Sequence, residues 1–199
     1  MILKIPLIKQ ENCAISCIAM MMEYYHKSFN AQRFIKDLSI DKYGYSLLDI
    51  ASQLIKDGQK IEFGFWDEDL IKKDSFHNYP IKLNELERYN KTINLHKTFE
   101  KILKDIIEFM RKYPSSIKIE PVTLQKLDHF LTKKIPALIH VDVRNYFDRT
   151  DDSIHSTLII GKEKEQYIVL DPLLGKKVLT GTKLLKAWQN GGGYYLVVL

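Results

Sequence analysis

The stretch Gln10-Glu11-Asn12-Cys13-Ala14-Ile15-Ser16-Cys17-Ile18-Ala19-Met20 constrains this chain more than any other. Asn12 is a favoured N-cap, because its side chain can accept from the unpaired amides of a first helical turn. Behind it Ala14, Cys17, Ile18, Met21, Met22 and Tyr25 recur at three- and four-residue steps. That is the pattern of a helix packed on one side, here expected to run to about His26. Cys13 then takes the first helical position, where free N–H groups and the helix dipole favour negative charge. A thiol so placed ionises more readily, and the thiolate is the nucleophilic form. Cys17, one turn deeper on the packed face, reads as a small buried hydrophobe. Helix geometry does not aim the two sulfurs at each other for a disulfide. Two cysteines are also too few for a structural zinc site.

With 199 residues the chain is most economically one domain with a real core. The net charge of +5 comes from basic residues interleaved with acidic ones. No basic block or recognisable motif points to nucleic acid. No apolar run approaches the ~18 residues needed for a transmembrane segment. The start, Met1-Ile2-Leu3-Lys4-Ile5-Pro6, lacks the layout of a signal peptide. With two cysteines a turn apart, the expected location is the reducing cytoplasm. Neither phosphate-binding fingerprint, GxGxxG or GxxxxGK[ST], occurs; Gly191-Gly192-Gly193 precedes a strand pattern and reads as a turn. No cofactor is called for, and the sequence does not define an oligomeric state.

Residues 2–8 read as a short extended segment held off helix by Pro6. A short helix is expected from Asn30, and another from Ser46 to Gly58 with Ser46 and Asp49 as a capping-box variant. Residues 60–65 alternate as a strand. From Trp66 to Asn94 no period is visible, and Leu95–Tyr113 recovers an amphipathic helix. Residues 66–114 are therefore expected to be an insertion, an irregular arm plus one helix, with Trp66, Phe76 and Tyr79 as a candidate substrate wall. Beyond it come a strand at 117–120, a helix capped by Thr123, and a strand from Ala137 to Val143. A polar loop is expected at 144–153. Strands follow at 154–160, 166–171, 176–179 and 194–199, with a short helix at 183–189. Helices first and a mainly antiparallel sheet afterwards is an α+β layout.

Geometry singles out one histidine. His155 lies in the strand Ile154-His155-Ser156-Thr157-Leu158, and Asp171 ends the next, Gln166-Tyr167-Ile168-Val169-Leu170-Asp171. A hairpin symmetric about Glu163 sets His155 directly opposite Asp171. Opposed residues have Cβ atoms roughly 4.5–5.5 Å apart, so the carboxylate can accept from one imidazole nitrogen and orient the ring. His140 also sits on a strand but has no such acid neighbour. His26, His77, His96 and His129 read as surface or helix-end residues, and Trp188, Tyr194 and Tyr195 as core.

A helix-start cysteine, a strand histidine and an Asp-Pro on the next strand resemble the papain-like cysteine peptidases, most closely the C39 and C39-like peptidases. The family pattern Cys-Gly-Pro-Ala-Cys-Leu-Ala-Met, followed by Tyr-Tyr-Gly, lines up without gaps on Cys13–Met20 and Tyr24-Tyr25-His26. Gly44-Tyr45-Ser46-Leu47-Leu48-Asp49, Lys134-Ile135-Pro136-Ala137-Leu138-Ile139, His155 through Gly161 and Val169-Leu170-Asp171-Pro172 complete the series. The resemblance implies a papain-like fold, an N-terminal helical half with the nucleophile helix packed on a C-terminal antiparallel sheet. It implies Cys13 as nucleophile, His155 as general base and acid, Asp171 as orienter, and Gln10 as a donor to the oxyanion beside the Cys13 amide. The implied activity is hydrolysis of a peptide or small amide. The alternatives are a related acyltransferase and a non-catalytic peptide-binding or regulatory module. Two residues depart from the pattern. Only Glu11 and Asn12 separate Gln10 from Cys13, where family members have a longer loop, and Ala14 replaces the glycine after the nucleophile.

Overall fold

Asn12 caps the first helix as its sequence predicts: Oδ1 accepts from the amides of Ala14 (2.9 Å) and Ile15 (3.4 Å). The computed structural model describes the chain apart from residues 11, 37, 39, 42, 43, 77, 94–96 and 152. His77 and His96 thus lie outside the described residues, as does the expected start of the helix at Leu95. Helix α1 (Cys13–Tyr24) is buried on every side from Ala14 to Met22, not along one stripe. A helix apolar all round belongs inside a core. At its C-terminal end Tyr24 Oη donates to Lys134 O (3.0 Å) and Tyr25 Oη to Val198 O (2.9 Å), fixing the helix along its axis.

Two further helices follow, α2 (Ala31–Ile35) and α3 (Leu47–Lys56), with a small hairpin between them, β1 (Ile40–Asp41) and β2 (Gly44–Tyr45). Ser46 occupies the N-cap of α3, but its side chain makes no capping hydrogen bond. Strand β3 (Ile61–Phe65) comes next, then α4 (Leu83–Thr92) and α5 (Lys97–Lys112). Helix α4 falls where no period was legible. Its buried face is only Leu86 and Tyr89, and it is started by Glu85 accepting from the Lys82 amide (2.9 Å).

The rest of the chain runs β4 (Ile117–Ile119), α6 (Leu124–Thr132), β5 (Ala137–Asp142), α7 (Val143–Phe147), β6 (Ile154–Glu163), β7 (Gln166–Asp171), β8 (Gly175–Thr180), α8 (Gly181–Asn190) and β9 (Tyr195–Val198). Seven strands form one sheet in the order β4-β3-β9-β5-β6-β7-β8, in which β3 and β4 pair in parallel and the other pairs are antiparallel. The fold is α+β with α1 packed on β5 and β6, as expected. The division into halves is less clean, since β3 from the helical half sits between β4 and β9. The extended N-terminal segment runs beside β6, where the Leu3 amide donates to Ile160 O (2.7 Å). Gly161 permits this approach: a Cβ there would fall 2.7 Å from Met1 O.

Gly64 on β3 is covered by the ring of Tyr195, so that a Cβ would fall 1.6 Å from Tyr195 Cε1. The ring cannot swing aside. Its hydroxyl donates to Glu62 Oε1 (2.7 Å), and Trp188 and Phe130 pack against it at centroid distances of 6.2 and 5.5 Å. Gly64→Ala is expected to destabilise by about 1–3 kcal/mol through overpacking. Urea unfolding reads the effect, and a variant as stable as the parent would contradict this packing.

Candidate active site

Cys13 opens α1 and is only partly buried, whereas Cys17 is wholly buried. The capped first turn leaves the sulfur facing the end of β6. There the Ser156 amide donates to Sγ (3.4 Å), and the His155 side chain stands near enough to act on the thiol's titration. Burial alone would raise the Cys13 pKa; the His155 hydrogen bond and charge, with the Ser156 amide, outweigh it and hold the thiol below its ordinary value. For Cys17 burial dominates and pushes the thiol well up, which makes it inert packing.

His155 Nε2 lies 3.1 Å from Asp171 Oδ2, which leaves Nδ1 for the sulfur. The contact is not the direct cross-strand pairing expected. Leu158 pairs with Leu170 and Ile159 with Val169; a bulge between Ile159 and Gly161 then shifts the register, and Glu163 pairs with Gln166. The hairpin thus turns on Lys164-Glu165, with Lys164 at φ 53°, not on Glu163. Continuing the inner register sets Asp171 opposite Thr157, with His155 one diagonal step away on the same face. Diagonal neighbours remain within reach of long side chains. The other oxygen of Asp171 accepts from the amides of Leu173 (2.8 Å) and Leu174 (3.0 Å), so the turn after β7 fixes the carboxylate. Burial opposes its charge, but the bond to His155 and these amides hold the carboxyl at about 2. Burial also opposes the charge on His155, while Asp171 and Cys13 together raise it to about 9. The three shifts run in the direction that favours a thiolate beside an imidazolium and a carboxylate.

Helix α7 supplies what the sequence reading missed. Residues expected to be loop form a short helix capped by Asp142, whose Oδ2 accepts from the Asn145 amide (3.1 Å). The cap followed by Val-Arg-Asn-Tyr-Phe was its only signal. Tyr146 and Phe147 lie against the His155 ring at centroid distances of 6.0 and 5.4 Å, and Lys177 Nζ stands 4.5 Å from the Tyr146 ring centroid. They exclude water from the imidazole's outer side.

A cleft of about 360 Å³ opens beside Cys13 and Ser156. His140 lines it, as does Tyr194, which the sequence reading placed in the core. Gln10 is exposed and absent from the described lining; its backbone amide donates to Ser16 Oγ (2.8 Å). Of the expected aromatic wall, Trp66 and Phe76 are buried in the core and Tyr79 is exposed, and none lines the cleft. Segment 66–114 reaches the cleft through Asp67 and through Ile102, Asp105 and Ile106 of α5. His26 and His129 are exposed. Among the described residues no three His, Cys, Asp or Glu side chains group to hold a metal, and no helix is long and apolar enough to cross a membrane.

Solved structures that match the fold across nearly all of this chain include the following two. A protein from Bacillus anthracis described as a C39-like peptidase is 12% identical, covers 100% of this chain and 96% of its own, and has a TM-score of 0.59. A double glycine motif protease from an AMS/PCAT transporter, solved in complex with the leader peptide, is 13% identical over 99% of this chain and 93% of its own, with a TM-score of 0.52. A comparison with curated proteins finds no sequence match. The model of the Peptidase_C39 like family matches residues 2–196, and the chain therefore belongs to that family.

Proposed function

We propose that this protein is a cysteine peptidase-like hydrolase that cleaves a peptide or amide bond through Cys13, His155 and Asp171. The observation that supports the reading is the convergence of three groups: the Ser156 amide meets the Cys13 sulfur at 3.4 Å, and the adjacent His155 has its Nε2 3.1 Å from Asp171 Oδ2. The Cys13 thiolate attacks the carbonyl carbon, and the oxyanion that forms meets the Cys13 backbone N–H at the helix start. His155 gives its Nδ1 proton to the leaving amine as the tetrahedral species collapses to a thioester. It then takes a proton from water, which attacks the thioester and restores the thiolate. Asp171 holds the ring so that the proton-bearing nitrogen faces the reaction. A relative solved with its leader peptide supports a peptide as substrate. The exposure of Gln10 favours the second reading, a cleft of the same shape that binds peptides without turning them over.

The pH dependence of Cys13 alkylation tests the ion pair. The Cys13 thiol is held down and His155 is held up at about 9, so the pair persists between the two titrations. Iodoacetamide labelling of Cys13, read by mass spectrometry, should therefore rise on the acid side of the ordinary thiol range and level off before it. In His155→Ala only burial and the Ser156 amide remain of the main influences, and the midpoint should move up to the ordinary thiol range or above. Unchanged midpoints in the variant, or preferential labelling of Cys17, would remove the assignment.

Turnover of a peptide mixture, followed as new N-termini by mass spectrometry, should vanish in Cys13→Ala and His155→Ala. Asp171→Asn should lower it by up to about 10⁴-fold while leaving it measurable. Full activity in His155→Ala would move the base to another residue.

Gln10 completes the proposed oxyanion site as the second donor beside the Cys13 amide. Removing one such donor costs about 10²–10³-fold in kcat. A loss of that size in Gln10→Ala keeps the assignment; an unchanged kcat removes Gln10 from the mechanism.

A further inference from the structure

The cleft beside Cys13 carries more charge than the row of three residues needs. Asp67, two residues past β3, and Asp105, on α5, both line it, and its described lining holds no lysine or arginine. This is a local negative site in a molecule of net charge +5. Asp67 is held in place, because Oδ1 accepts from the amides of Asp69 (2.9 Å) and Leu70 (3.2 Å). Its Oδ2 accepts no hydrogen bond from the described residues and lies 3.6 Å from where a Cβ on Gly192 would stand. Burial raises the pKa of both carboxyls, against the amides and Lys72 that act on Asp67 and the Lys101 charge that acts on Asp105.

A third polar group points the same way. The His140 ring rests on Tyr194 at a centroid distance of 5.6 Å, and its nitrogens have no hydrogen-bond partner among the described residues. Burial and the nearby His155 charge lower its pKa to about 4, so it is neutral at physiological pH. A neutral imidazole accepts a hydrogen bond without repelling a cation. The remaining wall includes Leu48, Ile102, Ile106 and Tyr194, apolar surface of the kind that the methylene stem of a lysine or arginine covers.

The sheet also fixes which part of a substrate enters. His140 pairs with Ser156 and Val141 with His155, and directly opposed side chains share a face. The His140 face is therefore turned away from the His155 ring. The leaving amine must meet the imidazolium to take its proton, so the acyl portion lies on the cavity's side.

We propose that this cavity is the acyl-side pocket and that it selects a residue with a cationic side chain, whose charge is met by Asp67 and Asp105 and whose N–H groups reach Asp67 Oδ2 and His140. The proposal rests on the reading of Cys13 as nucleophile. Dipeptidyl fluoromethyl ketones carrying lysine, norleucine or glutamate at either acyl-side position are the probes, with inactivation followed as the loss of free Cys13. Lysine should inactivate faster than norleucine, its uncharged analogue without the ammonium, by roughly two- to fivefold, the scale of a partly screened ion pair, and glutamate slowest. In the Asp67→Asn, Asp105→Asn double variant the lysine-to-norleucine ratio should fall toward one. A wild-type ratio at or below one, or a ratio kept in the double variant, overturns the proposal. Iodoacetamide treatment of the same samples separates the two readings. Labelled Cys13 without charge preference removes only the cationic pocket, whereas unlabelled Cys13 removes the nucleophile and the pocket proposal with it.

Discussion

In the proposed reading, the pairing of Cys13 with His155 is the interaction on which the rest of the site depends. Each alone is disfavoured where it sits, since burial opposes both the thiolate and the imidazolium. Buried charges persist only when paired and hydrogen-bonded. Asp171 and the two turn amides that hold it extend the compensation on one side, and the Ser156 amide does so on the other. The partners belong to elements far apart in the chain, so their meeting depends on where α1 lies against β6. The two tyrosine hydroxyls bonded to Lys134 O and Val198 O settle its axial position.

The aromatic side chains of α7 act on the same pair from outside. Tyr146 and Phe147 cover the imidazole and leave it little contact with water; His155 is 5% exposed. In such surroundings each hydrogen bond in the row is electrostatically stronger than it would be in water. Lys177 rests over both rings and places a cation just outside the site. The strand ends, the short helix and the turn after β7 thus form one shell around three titratable groups.

What could be read from the sequence divides along physical lines. The cap at Asn12, the position of Cys13 and the inert packing of Cys17 depend on residues within one helical turn, and local chemistry decides them. The meeting of His155 with Asp171 was legible as a contact but not as a register. The bulge at Gly161 answers to the N-terminal segment crossing there, a long-range constraint that no hairpin symmetry contains. Helix α4 escaped notice because its buried stripe is two residues wide and its start rests on a single glutamate bonded to the Lys82 amide. The place of Tyr194 was misread for a different reason. One strand pattern carries both it and Tyr195, and only the structure shows that Tyr194 packs on Phe63 and Phe65 while its other side lines the cleft.

Segment 66–114, read from sequence as an insertion, lets chemistry and selectivity vary separately in the proposed reading. The reactive row is carried by α1, β6 and β7, which lie in the best-matched stretches of the family pattern. The facing wall comes from α5 and the residue two beyond β3. Leu103, Ile107 and Met110 seal the underside of α5 into the common core, and that holds its other face at the cleft. Ile102, Asp105 and Ile106 line the cleft that the proposed reading assigns to the substrate. In the proposed reading, a change of charge or size at those positions alters which side chain fits the cleft.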